Sequence, residues 1–252
     1  MSEPIVSSFG QVPVRIFEAR PAARTPAVLL FHGLRSSADT LDREARALAA
    51  AGMTAILPDA PHHGVRSSVF LKTMPDTATR EGYARLLAIF RESRDEIPSL
   101  VDHVLARGHD TVAIAGVSMG GYIALAAAAV EPRLAAFASL LGSPDWTPHE
   151  GEAAAAAGAY AAELSESPHL RPEVFAPRPL LFLNGAHDVN VPPGPARALA
   201  ERLCPIYERA GAPDALMYRA YETGHFVPPA IWDEMVETAV TFLGRTLLAR
   251  VG

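Results

Sequence analysis

The sequence contains very little cysteine and very little lysine. Among its 252 residues there is one cysteine, Cys204, and one lysine, Lys72. A single cysteine excludes an internal disulfide and any cysteine-based metal cluster. Cys204 lies in the helix-like stretch ALAERLCPIYERA, where we expect it to be a small buried apolar residue.

Basic charge is also scarce. The chain has 22 Lys and Arg residues against 28 Asp and Glu residues, which gives a formal net charge of −6 at pH 7. The arginines are scattered along the chain rather than gathered into a basic tract. Nucleic-acid binding depends on clustered basic side chains that face phosphates. We therefore expect no nucleic-acid partner.

Long uninterrupted apolar runs are missing as well. The most apolar stretches, Ala113–Ala129 and Leu134–Leu141, are broken by Gly, Ser or Arg and fall short of the roughly 20 apolar residues that cross a membrane. The first ten residues, MSEPIVSSFG, lack the basic and apolar regions of a signal peptide. We expect a soluble cytoplasmic protein without a membrane partner, and the sequence leaves its oligomeric state open.

Short apolar runs alternate with longer helical patterns along the chain. This alternation predicts an α/β fold in one domain over residues 1–252, with a mostly parallel central sheet and helices on both faces. The predicted strands are Val12–Phe17, Ala27–Phe31, Met53–Leu57, Val112–Gly116, Ala135–Leu141, Leu180–Leu183 and LMYRAY at 216–221. The predicted helices are 39–51, 77–107, 119–130, 195–210 and 229–248.

Two segments between predicted strands are longer than ordinary connections. Segments 66–107 and 143–177 carry helical patterns, and such insertions form either a lid over a site at the sheet edge or a plain cover for the sheet. Pro98 inside the first segment predicts a kink or two consecutive helices. The alanine-rich stretch GEAAAAAGAYAAEL in the second segment predicts a helix.

The stretch GVSMG at 116–120 matches the pattern G-x-S-x-G. It follows the predicted strand TVAIA and precedes the predicted helix YIALAAAAV. In this context the pattern is typical of a tight strand-to-helix turn that presents a serine in a strained backbone conformation. Small residues on either side of the serine keep the neighbouring backbone from clashing. Ser118 is therefore the candidate nucleophile.

A serine hydroxyl needs a base that takes its proton, and the base needs an acceptor that fixes its tautomer. His225 follows the LMYRAY strand and Asp188 follows the LLFLN strand, both at the sheet edge expected for Ser118. The order Ser118, Asp188, His225 is the order of α/β-hydrolases. Asp145, which follows another predicted strand, is the alternative acid, and we favour Asp188.

On these residues the chain resembles an α/β-hydrolase over nearly its whole length. Within that superfamily it resembles the small bacterial carboxylesterases related to dienelactone hydrolase. The matching segments are FHG at 31–33, PDAPHHGVR at 58–66, GVSMGG at 116–121, GAHDVNVP at 185–192 and GHF at 224–226. Dienelactone hydrolase itself has a cysteine nucleophile where this chain has Ser118. The resemblance therefore implies cleavage of small-molecule oxygen esters without a cofactor.

The resemblance also implies roles for residues around the nucleophile. It assigns the oxyanion-binding backbone N–H groups to Leu34 and Met119, and it gives His32 a part in holding the loop that carries Leu34. We expect His32, Phe70 and Trp146 to lie at the substrate pocket. A packing role in the core or the lid is an equal alternative for the two aromatic residues.

The sequence around 59–63 contains residue types that bind metals. Asp59, His62 and His63 lie close together, and His and Asp are common ligands. Adjacent histidines without a further spaced ligand are weak evidence, and catalysis by a serine nucleophile needs no metal. We expect no metal site here.

Taken together, these residues predict a serine hydrolase that cleaves short- to medium-chain acyl esters through an acyl-enzyme on Ser118. The same three residues would also suit a thioesterase, a peptidase or an acyltransferase, because one scaffold hosts many substrates. A non-catalytic member of the fold that binds a ligand in the same pocket is a further alternative.

Overall fold

The computed structural model describes residues 3–19 and 25–249 of the chain. Its strands are β1 Ile5–Phe9, β2 Val12–Phe17, β3 Ala27–Phe31, β4 Thr54–Pro58, β5 Val112–Val117, β6 Leu134–Leu140, β7 Leu180–Gly185 and β8 Leu216–Tyr221. Its α-helices are α1 Asp42–Ala50, α2 Val69–Lys72, α3 Arg80–Ala106, α4 Met119–Ala126, α5 Gly151–Ala155, α6 Ala161–Leu164, α7 Gly194–Arg209 and α8 Pro229–Leu248. Short 3₁₀ turns occur between these elements.

The strands form one eight-stranded sheet in the order β1-β2-β4-β3-β5-β6-β7-β8. β2 pairs antiparallel with both β1 and β4, and all the other neighbouring strands are parallel. The predicted α/β class with a mostly parallel sheet is confirmed, and the seven predicted strands match β2 to β8 within two residues at each end.

Helices cover both faces of the sheet, as the sequence predicts. Alternate residues of a strand point to opposite faces, so Leu29 and Val28 of β3 belong to two different clusters of buried side chains. We call the cluster of Leu29 the first core; it is packed by α3, α4 and α7. The cluster of Val28 is the second core, and it is packed by α1 and α8.

Three details differ from the sequence predictions. The edge strand β1 was not predicted, because its sequence IVSSF buries only Phe9 and so lacks an apolar alternation. Of the two alternatives expected at Pro98, a kink or two consecutive helices, the second is wrong, since α3 is continuous across Pro98. The alanine-rich stretch is not one helix but α5, a 3₁₀ turn and α6, and it buries only Ala153 and Tyr160 against the rest of the chain.

The expectation that Cys204 is buried is wrong. The buried stripe of α7 contains Leu199, Leu203 and Tyr207, which recur at helical spacing on one face. Cys204 falls outside this stripe and is exposed, with its thiol 3.5 Å from Glu208 Oε1.

The two long inserted segments contact each other. Tyr83 on α3 donates a hydrogen bond to the backbone oxygen of Trp146 at 2.8 Å, and Tyr160 donates one to the backbone oxygen of Arg80 at 2.8 Å. Arg94 forms an ion pair with Glu166 across the same contact. The second segment is thus held against α3, above the edge where the parallel strands end.

No helix in the described parts of the chain combines the length and the apolar character needed to span a membrane.

Candidate active site

Ser118 occupies the turn between β5 and α4 in a strained backbone conformation. Its φ is 52° and its ψ is −116°, a region that residues with a side chain rarely adopt. The backbone N–H of Ser118 donates to the oxygen of Leu140 at 2.8 Å, so neighbouring β6 supports the turn. The predicted strand-turn-helix context of GVSMG is confirmed.

The glycines around Ser118 leave no room for a side chain. A Cβ on Gly116 would lie 2.1 Å from the backbone oxygen of Gly120. A Cβ on Gly120 would in turn lie 2.1 Å from the backbone oxygen of Phe31. These contacts involve backbone atoms, which cannot swing aside. They bring the start of α4 directly against the end of β3, and this contact fixes where Ser118 sits.

The structure brings Ser118, His225 and Asp188 into one hydrogen-bonded chain. Ser118 Oγ lies 2.9 Å from His225 Nε2, and His225 Nδ1 lies 2.7 Å from Asp188 Oδ2. The three residues follow β5, β8 and β7, whose carboxyl ends share one edge of the sheet. His225 remains partly exposed, whereas the Asp188 carboxylate is buried.

The Asp188 carboxylate is fixed by the loop that follows β7. Its Oδ1 accepts the backbone N–H groups of Asn190 and Val191 at 2.9 and 2.8 Å, which leaves Oδ2 facing His225. The alternative acid, Asp145, accepts the backbone N–H of Thr147 at 2.9 Å and lies 3.6 Å from a different histidine, His169. The geometry favours Asp188 as the partner of His225.

Leu34 and Met119 both line the cavity at Ser118. Met119 is the first residue of α4, and the first N–H groups of a helix have no acceptor within the helix. Leu34 directly follows Gly33 in the loop after β3. The two residues predicted as oxyanion donors thus line the same cavity as the serine.

His32 is fully buried behind this loop rather than exposed to the cavity. Its Nδ1 donates to the backbone oxygen of Gly33 at 2.8 Å, and its Nε2 accepts the backbone N–H of Ala60 at 3.2 Å. Burial lowers the pKa of His32, which keeps this neutral tautomer. The Gly33 oxygen and the Leu34 N–H belong to one planar peptide, so His32 fixes the direction of the Leu34 N–H.

The residues that invited a metal interpretation are engaged separately. The Asp59 carboxylate accepts the backbone N–H groups of Ala38 and Val65, both at 2.9 Å. His62 Nε2 lies 2.9 Å from Glu92 Oε2. His63 is buried, and desolvation lowers its pKa to about 4. Within residues 3–19 and 25–249, no group of three or more His, Cys, Asp or Glu side chains is arranged to hold a metal ion.

A cavity of about 480 Å³ opens at Ser118 and His225. Both inserted segments contribute to its wall, together with the loops that follow β3 and β7. Its lining residues are Gly33, Leu34, Asp76, Thr77, Tyr83, Leu86, Phe90, Ser118, Met119, Tyr122, Pro148, His149, Glu150, Asn190, Val191, His225 and Phe226.

The expected pocket residues His32, Phe70 and Trp146 are not on this wall. Trp146 is fully buried and packs behind Phe90, with ring centroids 5.6 Å apart. Phe70 stacks on His62 at 4.4 Å, outside the cavity. The aromatic type of these two residues suggested a pocket wall, but the packing role that we weighed against it is the one that the structure shows.

Sequence reasoning missed most of the residues that line the cavity. Tyr83, Leu86 and Phe90 lie on one face of α3 at helical spacing, which the amphipathic pattern of this segment already displays. Val191 and Phe226 were signalled only by their closeness in sequence to Asp188 and His225. Tyr122, one turn after Ser118 on α4, was likewise signalled only by its closeness in sequence to a candidate site residue.

Comparisons with known proteins show which family this chain belongs to. Residues 10–173 match the Esterase family model, whose description is "Putative esterase". Esterase YjfP of Escherichia coli (strain K12) is 31% identical over 239 residues, covering 88% of this chain and 89% of that protein. YitV of Bacillus subtilis (strain 168), described in the same words as the family, is 29% identical over 241 residues, covering 86% of this chain and 89% of that protein.

Among solved structures, TT1662 from Thermus thermophilus has a similar fold. The two chains superpose with a TM-score of 0.73 at 22% identity, and the match covers 98% of this chain and 99% of the other. The sheet order and this likeness define an α/β-hydrolase fold. The chain belongs to the Esterase family.

The tight contact at Gly120 yields a prediction about stability. Replacing Gly120 by Ala should lower the free energy of unfolding by about 1–3 kcal/mol or more, because the new methyl group meets the Phe31 carbonyl. Gly33 is the matched control, since a Cβ there would meet its nearest atom, Ser118 Cβ, at an ordinary 3.7 Å. Urea denaturation of G120A and G33A tests this. Equal stability of the two variants would contradict it.

Proposed function

We propose that the protein is a serine hydrolase that cleaves carboxylic esters with short- to medium-chain acyl groups. The observation that carries the proposal is the hydrogen-bonded chain from Ser118 Oγ through His225 to the buried Asp188 carboxylate. Ser118 and His225 line a cavity of about 480 Å³, which lies within the usual size range of small-molecule sites.

The first half of the reaction acylates the serine. Ser118 Oγ attacks the ester carbonyl carbon while His225 Nε2 takes the hydroxyl proton. The carbonyl π electrons move onto oxygen, and the backbone N–H groups of Leu34 and Met119 donate to the resulting oxyanion. When the tetrahedral intermediate collapses, the C–O bond to the alcohol breaks and His225 gives its proton to the leaving alkoxide.

The second half releases the acid. His225 takes a proton from water as the water oxygen attacks the acyl-enzyme, and the proton returns to Ser118 Oγ when that bond breaks. Asp188 holds Nδ1–H of His225 and stabilises the imidazolium in both halves. These steps need no cofactor. The serine in place of the cysteine of dienelactone hydrolase favours oxygen esters.

The nucleophile is tested by S118A. The variant should lose about ten-thousand-fold in kcat while the fold persists, because the remaining donors give only the residual catalysis seen without a nucleophile. Hydrolysis of p-nitrophenyl esters from acetate to laurate measures this, and the wild-type rate should fall with chain length. Substantial cleavage by S118A, or a rate that rises toward laurate, would contradict the proposal.

The acid is tested by comparing D188N with D145N. D188N should lose at least about a thousandfold in kcat, because an amide neither fixes the productive tautomer of His225 nor stabilises its charged form. D145N should keep kcat within a few-fold of wild type, since Asp145 lies beside His169 and not His225. If D145N is crippled and D188N is active, the assignment is wrong.

A further inference from the structure

A second depression meets the cavity at the catalytic residues. It has a volume of about 420 Å³, and both Ser118 and His225 line it as well as the cavity. We call it the apolar groove. Apart from Ser118 and His225, it is lined by Val117, Leu141, Phe226, Val227, Pro228 and Trp232.

The cavity and the apolar groove lie toward opposite faces of the sheet. The cavity residues Phe90 and Met119 belong to the first core. The groove residues Leu141 and Trp232 belong to or pack against the second core. The reacting serine therefore sits between two depressions built on different sides of the molecule, and Phe226 lines both of them.

Two walls of the apolar groove, Trp232 and Leu141, are held in place by hydrogen bonds within the protein. Trp232 Nε1 donates to Glu44 Oε1 at 2.7 Å, which fixes the indole ring. Leu141 is buried, and its backbone N–H donates to the oxygen of Leu183 at 2.7 Å at the end of the sheet. These two walls are in place before a ligand binds, so they need little ordering on binding, whereas Phe226 and Pro228 at the outer rim are exposed.

An ester has two substituents that diverge from the reacting carbonyl, and this site offers one depression to each. Leu34 and Met119 line the cavity but not the groove. The acyl group stays with these donors through both halves of the reaction, whereas the alcohol departs after His225 protonates it. This difference favours the cavity for the acyl group and the groove for the alcohol.

We propose that the apolar groove binds the alcohol portion of the ester and selects hydrocarbon or aryl alcohols over small polar ones. The groove side chains other than Ser118 and His225 carry neither charge nor a hydrogen-bonding group aimed at a polar alcohol, except for a Trp232 N–H already donated to Glu44. Each methylene placed against such a surface leaves water, which favours binding. This inference rests on the proposed esterase function.

The test separates the two sides of the ester. One series keeps the acetyl group and lengthens the alcohol, from methyl to butyl to hexyl acetate. The other series keeps ethanol and lengthens the acyl group, from acetate to hexanoate. V227W fills the groove and W232A enlarges it, while L86A alters the cavity wall and serves as the matched control.

Val227 and Trp232 should govern the alcohol series alone. V227W should lower the ratio of kcat/KM for hexyl over methyl acetate at least about tenfold, the loss expected when about two methylene groups stay in water. W232A should change the same ratio and leave the acyl series in its wild-type order. L86A should change the order of the acyl series and leave the ratio for hexyl over methyl acetate at its wild-type value. Leu86 lines the cavity and not the groove.

Trp232 also donates a hydrogen bond to Glu44, so W232A could act through stability. W232F and thermal unfolding curves of the variants control for this effect. V227S provides a second, smaller change at Val227. Equal effects of the groove variants on both series, or no effect on either, would overturn the inference while esters are still cleaved in a Ser118-dependent way. Ester cleavage that persists in S118A would instead overturn the proposed function itself.

Discussion

The contact between the start of α4 and the end of β3 is the constraint on which the site depends. Gly120 lies against the Phe31 carbonyl with no space for a side chain, and Gly116 lies as closely against Gly120. This packing forces Ser118 into its positive φ and sets its hydroxyl at the sheet edge. It also places the Gly33–Leu34 peptide beside the serine, so one contact positions both the proposed nucleophile and the proposed oxyanion donors.

The parallel part of the sheet brings Asp188 and His225 to Ser118 because β5, β7 and β8 all end at this edge. Asp188 and His225 are far from Ser118 in sequence, yet the loops after β7 and β8 bring them into one chain of hydrogen bonds. His32, which is buried outside the cavity, orients the Leu34 peptide through a hydrogen bond to the Gly33 oxygen. Its lowered pKa keeps the imidazole neutral. The Asp188 carboxylate is held by backbone N–H groups, and the Leu34 peptide is held by a buried side chain, which favours catalysis without reorganisation.

The sequence was informative where one local rule decides the outcome. Continuous apolar runs located β3 to β7, and the spacing of glycines around Ser118 located the turn, because both patterns follow from steric rules within a few residues. The cavity wall was not predictable in the same way. Trp146 and Phe70 look like wall residues, but the packing of two inserted segments decides that Leu86 and Phe90 face the cavity instead. The edge strand β1 was missed because an exposed edge strand needs no apolar alternation. Cys204 was expected to be buried, but the face of α7 that meets the core is decided by its tertiary neighbours.

The proposed catalysis depends on an activated hydroxyl at Ser118, and covalent labelling tests that activation most directly. A fluorophosphonate reacts with a serine whose proton is taken by a base, losing fluoride as the Oγ–P bond forms. Mass spectrometry of digested, labelled protein should find one equivalent on the peptide that contains Ser118, with loss of esterase activity in proportion. An unlabelled Ser118 in a protein that cleaves esters, or a label at another residue, would contradict the account.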